Sequence, residues 1–403
     1  TTNSTSETQL RALVEGGFGA LSLPTSSSCL DNAALEEALR TAAKLGTFIF
    51  GTAQCTKKAW TPATLQEAAS AHSCRTNFGG FVLGASGEKN LTQLKANLAT
   101  QKMEAYWTIP LVLDVTDAAA AKAIALAGGP LPAVGFVASD PSAPASVFAN
   151  QVIATVASVQ AVANDVDVPM TAAYMLRPCD TNSSSLLRFQ AFASFALGGA
   201  QALWWEGLGA CARPGSAKFD VIATTNRRLL QWAPLFLKES ATPPYAIDRI
   251  WSTAENLVVP GAMLPGAKVD DIVQHMDTDL IAISLRNVSN SVLGGHYGPL
   301  LFVIDAKLDT QRDVELRLRK DVALSTLLEG GDAVSDCTMR RLRNVLPLTL
   351  MGGDAQLVSY ALLSSYGIHK PASVAAQREE EQVWARTRSA RTRHDLHVQR
   401  ENK

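Results

Sequence analysis

The first part of the chain alternates short apolar runs with longer stretches whose apolar residues recur at helical spacing. The apolar runs carry few polar positions, which is typical of strands buried on both faces of a parallel sheet. The pattern predicts strands within residues 18–24, 46–53, 78–86, 105–113, 132–139, 169–176 and 200–207. Strands separated by helices in this way predict a βα domain over residues 1–245.

The pattern changes near Tyr245. Residues 313–319 alternate apolar and polar positions, which favours a half-exposed antiparallel strand. Other short apolar segments nearby are joined by turns, so we predict an antiparallel β-sandwich over residues 246–368.

The last residues, 369–403, are highly charged and helical by propensity. A solvated tail and a helix that docks a protein partner or a second copy both fit this composition. In a docking helix, the buried contacts would be Val383, Trp384 and Leu396, because a solvated helix has little use for an exposed tryptophan.

The chain has 403 residues and a formal net charge of -1. Its length allows a large core and more than one domain. No basic field exists that would neutralise phosphates, so the composition argues against a nucleic-acid partner. No apolar run reaches the roughly 18 residues that span a bilayer, so no membrane span is expected.

Two features bear on the cellular compartment. Asn-X-Ser/Thr sequons occur at Asn3, Asn90, Asn182 and Asn287. There are also six cysteines, none with the Cys-X-X-Cys spacing of a zinc or redox site. Together these features favour a glycoprotein of the secretory pathway, extracellular or at the cell surface. The alternative is a cytosolic protein with chance sequons and free thiols.

Residues 188–236 resemble the last βα unit of β-galactosidase-like glycoside hydrolases. In that family a helix beginning Arg-X-Gln leads into an aromatic-rich final strand, and a second helix follows it. The matching residues are Arg188, Gln190, Ala196, Leu197, Gly199 and Ala200, then Asn226, Leu229, Pro234 and Leu235. The resemblance implies a TIM-type (β/α) barrel followed by a β-sandwich.

In such a barrel, residues 200–207 would be strand eight and the predicted strands would be strands two to eight. Strand one would then lie upstream of Thr1 or be supplied by a segment that the apolar pattern does not reveal. Glu206 would stand at the carboxyl end of a strand, the face on which barrel active sites are built.

Aromatic and basic residues near this face are predicted to bind carbohydrate. Trp204 and Trp205 offer aromatic faces that stack on sugars. Successive strand residues point to opposite sides, so at most one of the two faces the pocket. Tyr174 and Arg177, from the preceding strand and its exit, complete the predicted substrate-binding residues.

Glycoside hydrolysis normally uses two carboxyl groups. In the resembled enzymes, the acid/base glutamate follows strand four and the nucleophile glutamate follows strand seven. Here those positions hold Ala85–Ser86 and Arg177–Cys179, so the resemblance implies a degenerate site. The remaining candidate catalytic residues are Glu206, Asp180 and Asp140.

Cysteines follow neighbouring predicted strands in two places. Cys29 and Cys55 stand just beyond adjacent strands, and Cys179 and Cys211 stand in the same relation to the last two strands. Adjacent strand ends bring loops close enough for a bridge. We therefore predict the disulfides Cys29–Cys55 and Cys179–Cys211.

The histidines show no metal-binding spacing, and no nucleotide-binding or serine-hydrolase motif occurs. We therefore expect no metal and no cofactor. The favoured hypothesis is a catalytically degenerate barrel that binds glycans or serves as a structural subunit of an extracellular assembly. The alternative is an active glycoside hydrolase in which Glu206 pairs with Asp180 or Asp140.

Overall fold

The fold is that of a computed structural model of the chain. The structure describes residues 7–23, 32–52, 75–83, 111–114, 133–138, 145–154, 171–197, 202–205, 208–236, 245–255, 262–268, 270–287, 299–308, 311–327 and 345–362. The predicted tail with Val383, Trp384 and Leu396 lies outside these residues, as do Asp140 and Glu206.

In the described residues, seven parallel strands form one sheet, and each overlaps one of the predicted apolar runs. They are β1 (Ala20–Leu23), β2 (Phe48–Thr52), β3 (Phe78–Leu83), β4 (Leu111–Asp114), β5 (Ala133–Ala138), β6 (Thr171–Leu176) and β7 (Ala202–Trp205). Their order in the sheet is their order along the chain. A doubly wound sheet reverses its strand order at a switch point, and the described strands show no such reversal. The predicted α/β architecture is confirmed.

Helices accompany these strands. Those in the described residues are α1 (Glu7–Glu15), α2 (Asn32–Leu45), α3 (residues 145–154), α4 (Ser184–Ala196), α5 (Leu208–Cys211) and α6 (Ala217–Phe236). Helix α4 begins at Ser184 because the Ser183 hydroxyl accepts a hydrogen bond of 3.1 Å from the Leu186 N–H. From Leu186 onward, nearly every residue of α4 is buried. Because a surface helix exposes one face, α4 must be covered by more than one layer.

The described strands after α6 form two further sheets. They are β8 (Tyr245–Ser252), β9 (Ala262–Met263), β10 (Val273–Met276), β11 (Leu280–Asn287), β12 (Leu300–Asp305), β13 (Arg312–Leu318), β14 (Val322–Leu327), β15 (Val345–Leu350) and β16 (Ala355–Leu362). One sheet has the order β14-β16-β12-β11-β8-β9 and the other β10-β13-β15. All neighbours in these two sheets are antiparallel except β8 and β9, which are parallel.

The two sheets face each other across an apolar cluster. Trp251 and Leu301 enter it from the six-stranded sheet, and Leu316 and Leu348 enter it from the three-stranded sheet. On β13, buried residues alternate with partly or fully exposed ones, as the period of two in residues 313–319 predicts.

The opposite face of the six-stranded sheet packs on α4 and α6. Phe302 of β12 lies 5.2 Å from Trp232 of α6 and 6.5 Å from Phe192 of α4, measured between ring centroids. One buried cluster contains these rings together with Tyr174 and Leu176 of β6. The parallel sheet, its helices and the antiparallel sheet therefore share a continuous core.

Polar contacts reinforce this junction at the turn between β15 and β16. Arg188 of α4 donates hydrogen bonds of 3.2 and 2.8 Å from Nε and Nη2 to the Gly352 carbonyl oxygen. Arg228 of α6 binds Asp354 and the Ala355 carbonyl oxygen. The turn is therefore held against both helices.

Candidate functional site

The candidate site is the edge at which β6 and β7 end. These strands are neighbours in parallel register, with Met175 opposite Trp204 and Leu176 opposite Trp205. The chain segments that leave the two strands therefore emerge side by side. Ligand sites of parallel α/β sheets lie beyond the carboxyl ends of the strands, so this is the edge on which a ligand is expected.

The exit of β6 is a short 3₁₀ turn, Pro178–Asp180. Pro178 is buried, whereas Cys179 and Asp180 are exposed. The Lys218 ammonium of α6 donates hydrogen bonds to the carbonyl oxygens of Pro178 (2.9 Å) and Thr181 (2.8 Å). These bonds fix the turn against the first turn of α6.

A disulfide joins this turn to the segment that follows β7. Cys179 and Cys211 are bonded, with their Cα atoms 5.2 Å apart. This is one of the two disulfides predicted from the sequence, and it is present in the structure. Cys29 and Cys55 lie outside the described residues, so their pairing stays a prediction.

The two tryptophans of β7 point to opposite faces of the sheet. The Nε1–H of Trp205 donates a hydrogen bond of 3.0 Å to Asn226 Oδ1 on α6, and the ring packs on the core beneath the helices. Because neighbouring strand residues alternate, Trp204 belongs to the face of the sheet away from α6. Trp204 is half-buried there, and its role in ligand binding stays a prediction.

Tyr174 lies on the same face of the sheet as Trp205. Its side chain is 1% exposed, and its hydroxyl donates a hydrogen bond of 3.4 Å to the Val152 carbonyl oxygen of α3. Burial raises the pKa of this phenol above its ordinary value. The side chain therefore faces the helices, and the expectation that Tyr174 binds substrate stays a prediction.

The charged candidates are only partly described. Asp180 is exposed and Arg177 is half-buried, and both stand at the exit of β6. Glu206 directly follows β7 in the sequence but lies outside the described residues, as does Asp140.

One predicted glycosylation site also lies at this edge. Asn182 is exposed between the 3₁₀ turn and α4. Asn287 is the last residue of β11. Asn3 and Asn90 lie outside the described residues.

Several residues that carry the family resemblance have structural roles here. Arg188 binds the turn between β15 and β16, and Asn226 holds Trp205. Gln190 is fully buried within α4. Lys218 and Arg228 were not predicted from the sequence, because their polar partners lie far away along the chain. In the sequence, each is marked only by a long, positively charged side chain within a helix that also carries many apolar residues.

Among the described residues, no group of three or more histidine, cysteine, aspartate or glutamate side chains is arranged to hold a metal ion. No helix in the described part of the chain has the length and apolar character needed to cross a membrane.

No protein-family model matches the chain, and no curated protein matches it by sequence. Among solved structures, it is similar to a debranching enzyme from Nostoc punctiforme, at 11% identity, with 88% of each chain covered and a TM-score of 0.39. It is also similar to the catalytic module of a family 98 glycoside hydrolase from Streptococcus pneumoniae, at 9% identity. There, 82% of this chain and 87% of that chain are covered, and the TM-score is 0.35.

A third similar structure is a pullulanase from Paenibacillus barengoltzii, at 9% identity. In this case 81% of this chain and 60% of that chain are covered, with a TM-score of 0.40. All three names are those of enzymes acting on carbohydrates, but at TM-scores below 0.5 these likenesses carry no functional argument. The β-galactosidase-like family expected from the sequence stays a prediction.

Proposed function

We propose that this protein is a glycoside-hydrolase-like (β/α) barrel that binds carbohydrate without cleaving it. The proposal rests on the structure of the segment that follows β6. The resembled enzymes have their nucleophile glutamate after this strand. Here a 3₁₀ turn, Pro178–Asp180, stands in that place, tied down by the Cys179–Cys211 disulfide and by Lys218. The carboxylate that this turn offers is the exposed Asp180.

Two features support a barrel rather than an open sheet. The strands follow one another in chain order without reversal among β1–β7, as in a barrel. In addition, Phe18, directly before β1, stacks on Phe219 of α6 with ring centroids 6.1 Å apart. Helix α6 follows the last strand of the sheet. This contact between the residues that lead into β1 and the helix after the last strand supports a sheet that curves toward closure.

A carbohydrate ligand fits the residues at the carboxyl edge. Trp204 belongs to the face away from the helices, where its ring offers an apolar surface for a sugar ring. Arg177 stands nearby at the exit of β6 and carries hydrogen-bond donors for hydroxyl groups. The disulfide and Lys218 hold the edge in one conformation, which lowers the entropic cost of binding.

Cleavage of a glycosidic bond requires a pair of carboxyl groups, which Trp204 and Arg177 do not supply. A retaining pair of carboxyl groups stands about 5–5.5 Å apart, and an inverting pair stands about 6.5–9.5 Å apart. An active glycoside hydrolase stays the alternative because Asp180 lies at this edge of the sheet. Glu206 directly follows β7, which ends at the same edge. In that alternative, Glu206 pairs with Asp180 or Asp140.

Binding and turnover should be measured on the same preparation. We expect oligosaccharides from a glycan array to bind and chromogenic β-glycosides to remain uncleaved. Trp204→Ala should weaken carbohydrate binding about tenfold or more, because a stacking face is lost. Trp205→Phe is the matched control and should bind as the unaltered protein does, since Trp205 faces α6. Turnover of a β-glycoside that Glu206→Gln abolishes would replace this proposal with the active enzyme.

The same proposal places the protein in the secretory pathway, outside the cell or at its surface. The Cys179–Cys211 disulfide and the exposed sequon at Asn182 support this location. Expression in secretory cells should yield a protein whose electrophoretic mobility increases after enzymatic removal of N-glycans. Asn182→Gln should remove one glycan. A fully reduced, unglycosylated product would argue for the cytosol.

Protein partners remain part of the proposal through the tail, residues 369–403. Truncation after Lys370 should leave the rest of the chain folded and weaken self-association or binding to a partner, as measured by sedimentation. Equal association by the truncated chain would make the tail a solvated segment.

A further inference from the structure

The segments that follow β6 and β7 are joined covalently by the Cys179–Cys211 disulfide. Cys179 is exposed, and Cys211 is half-buried. In thiol–disulfide exchange a thiolate must reach one of the two sulfur atoms, so exposed disulfides are the ones that reductants open most readily. This bond therefore lies at a position that a dissolved thiol can reach while the rest of the fold stays intact.

The segment after β6 is also held by noncovalent contacts. Pro178 is buried, and Lys218 donates hydrogen bonds to the carbonyl oxygens of Pro178 and Thr181. Within the turn, the Asp180 N–H donates a hydrogen bond of 3.2 Å to the Arg177 carbonyl oxygen. These contacts do not involve the sulfur atoms, so the 3₁₀ turn keeps them when the disulfide is opened.

The segment after β7 depends more strongly on the disulfide. Helix α5, Leu208–Cys211, is a single helical turn, and a helix this short is not stable on its own in water. The Ala212 N–H donates a hydrogen bond of 3.1 Å to the Leu208 carbonyl oxygen, so exchange of this amide reports whether α5 is formed. Because Cys211 is the last residue of α5, the disulfide bonds this helix directly to the anchored turn. Opening the bond should release α5 and leave the turn in place.

We propose that the Cys179–Cys211 disulfide is a redox-sensitive latch, which a dithiol reductant opens in the folded protein, releasing α5 and weakening carbohydrate binding. Binding weakens because the edge at which β6 and β7 end is then no longer held in one conformation. The effect on carbohydrate rests on the proposed function, whereas the opening of the latch does not.

The chemical step is a thiol–disulfide exchange in two stages. One thiolate of the reductant attacks Cys179 Sγ, the bond between the two cysteine sulfurs breaks, and Cys211 leaves as a thiolate that takes up a proton. The second thiolate of the reductant then attacks the reductant sulfur of the mixed disulfide, and Cys179 leaves in the same way. The two cysteines gain two electrons and two protons, and the reductant becomes a cyclic disulfide.

The test uses the full chain, incubated with dithiothreitol under native conditions. Alkylation followed by peptide mass spectrometry measures how far Cys179 and Cys211 are reduced. Hydrogen–deuterium exchange resolved to single amides then reports on the two segments. We expect reduction to speed exchange of the Ala212 amide by about tenfold or more and to leave the Asp180 amide unchanged. Removing the reductant and reoxidising the protein should restore slow exchange.

Lys218→Met separates the two anchors of the turn. In this variant, reduction should speed exchange at the Asp180 amide as well as at the Ala212 amide, because neither anchor is left. Lys44→Met is the matched control. The Lys44 ammonium lies at the surface, 3.9 Å from a Glu7 carboxylate oxygen on α1, so reduction should act on this variant as it acts on the unaltered protein.

A disulfide that stays intact in the folded protein would overturn the latch, as would reduction without faster exchange at Ala212. In the unaltered protein, faster exchange that also spreads to Asp180 and to strands β5 and β6 would show a cross-link that stabilises the whole fold and not a local latch.

Carbohydrate binding is measured separately, on a glycan array, with oxidised protein and with reduced, alkylated protein. We expect the reduced protein to bind about tenfold more weakly. Equal binding by the two forms would overturn the control of binding by the latch. If the latch opens locally but neither form binds glycans, the proposed function fails and the latch itself stands.

Discussion

Gly353 lies in the turn between β15 and β16, where the antiparallel sheet meets α4. Its φ is +72°, a backbone conformation that suits glycine. A Cβ atom at this position would overlap the carbonyl oxygen of Ser185 in α4. The turn can therefore approach the helix only because residue 353 lacks a side chain.

We expect Gly353→Ala to lower the free energy of unfolding by about 3 kcal/mol, because backbone strain and steric overlap act together. Gly215→Ala is the matched control. Gly215 also has a positive φ, +86°, but no atom lies within 4 Å of its Cβ position, so about 1 kcal/mol is expected there. Urea unfolding measures both. Equal losses of stability in the two variants would mean that the α4 backbone moves away from the added methyl group without an energetic cost.

Arg228 makes both polar and aromatic contacts at the same junction. Its guanidinium lies 5.3 Å from the Phe192 ring centroid and 5.1 Å from that of Trp232, and it binds Asp354. Lysine would keep the charge but lose the planar fork that stacks and donates several bonds at once.

Arg228→Lys should therefore lower the free energy of unfolding by roughly 2 kcal/mol. Its neighbour Arg227 is exposed and bonds the Ala223 carbonyl oxygen within its own helix. Arg227→Lys should change stability by less than about 0.5 kcal/mol. Denaturant titration of the two variants compares them, and a similar effect of both would show that the junction does not depend on Arg228.

At the scale of single residues, the sequence predicts the structure correctly where the interacting residues lie close together along the chain. Alternation along a strand separates Trp204 from Trp205, but it does not say which of the two faces of the sheet the helices cover. Arg188 and Gly352 are 164 residues apart, a pairing that spacing within one segment cannot reveal.

Among the elements, the segments that follow β6 and β7 depend most on a covalent bond. The Cys179–Cys211 disulfide closes a loop with a sequence separation of 32. A cross-link of this span stabilises mainly by restricting the unfolded chain, by roughly 3 kcal/mol. It also holds the 3₁₀ turn beside the segment after β7.

Replacing both cysteines by serine should lower the free energy of unfolding by about 3 kcal/mol and weaken carbohydrate binding. Thermal unfolding with and without a reductant provides the measurement. In the double variant, the reductant should cause a smaller loss, which then reports other disulfides such as the predicted Cys29–Cys55. An unaltered melting temperature would indicate that Lys218 alone is sufficient to hold the turn.

The sequence predicts elements best where burial is uniform. All the described strands of the parallel sheet could be predicted, because strands buried on both faces consist of apolar runs. The 3₁₀ turn and α5 could not, since they are short and held by Lys218 and the disulfide rather than by a periodic pattern. In α4 the apolar character all round indicates burial, but the covering layers come from distant parts of the chain.

At the scale of the whole molecule, the shared core predicts how the protein unfolds. Phe302 is fully buried between α4 and α6, and its neighbour Leu301 points into the cluster between the two antiparallel sheets. Removing either side chain therefore removes packing from a different cluster of one connected structure.

Phe302→Ala should cost about 3–5 kcal/mol and Leu301→Ala about 2–5 kcal/mol. In calorimetry, both variants should keep a single transition that moves to lower temperature, because the shared core couples the parts. Two separate transitions, with Leu301→Ala shifting one of them alone, would contradict this coupling.

The junction of α4, α6 and β12 also bears on what a single cut in the backbone would do. A protease acting after Lys238 would divide the chain between α6 and β8. The two fragments would remain associated through the aromatic rings of Phe192, Trp232 and Phe302, and would separate only in denaturant. If the two fragments were produced separately, each would expose an apolar surface that binds the other fragment.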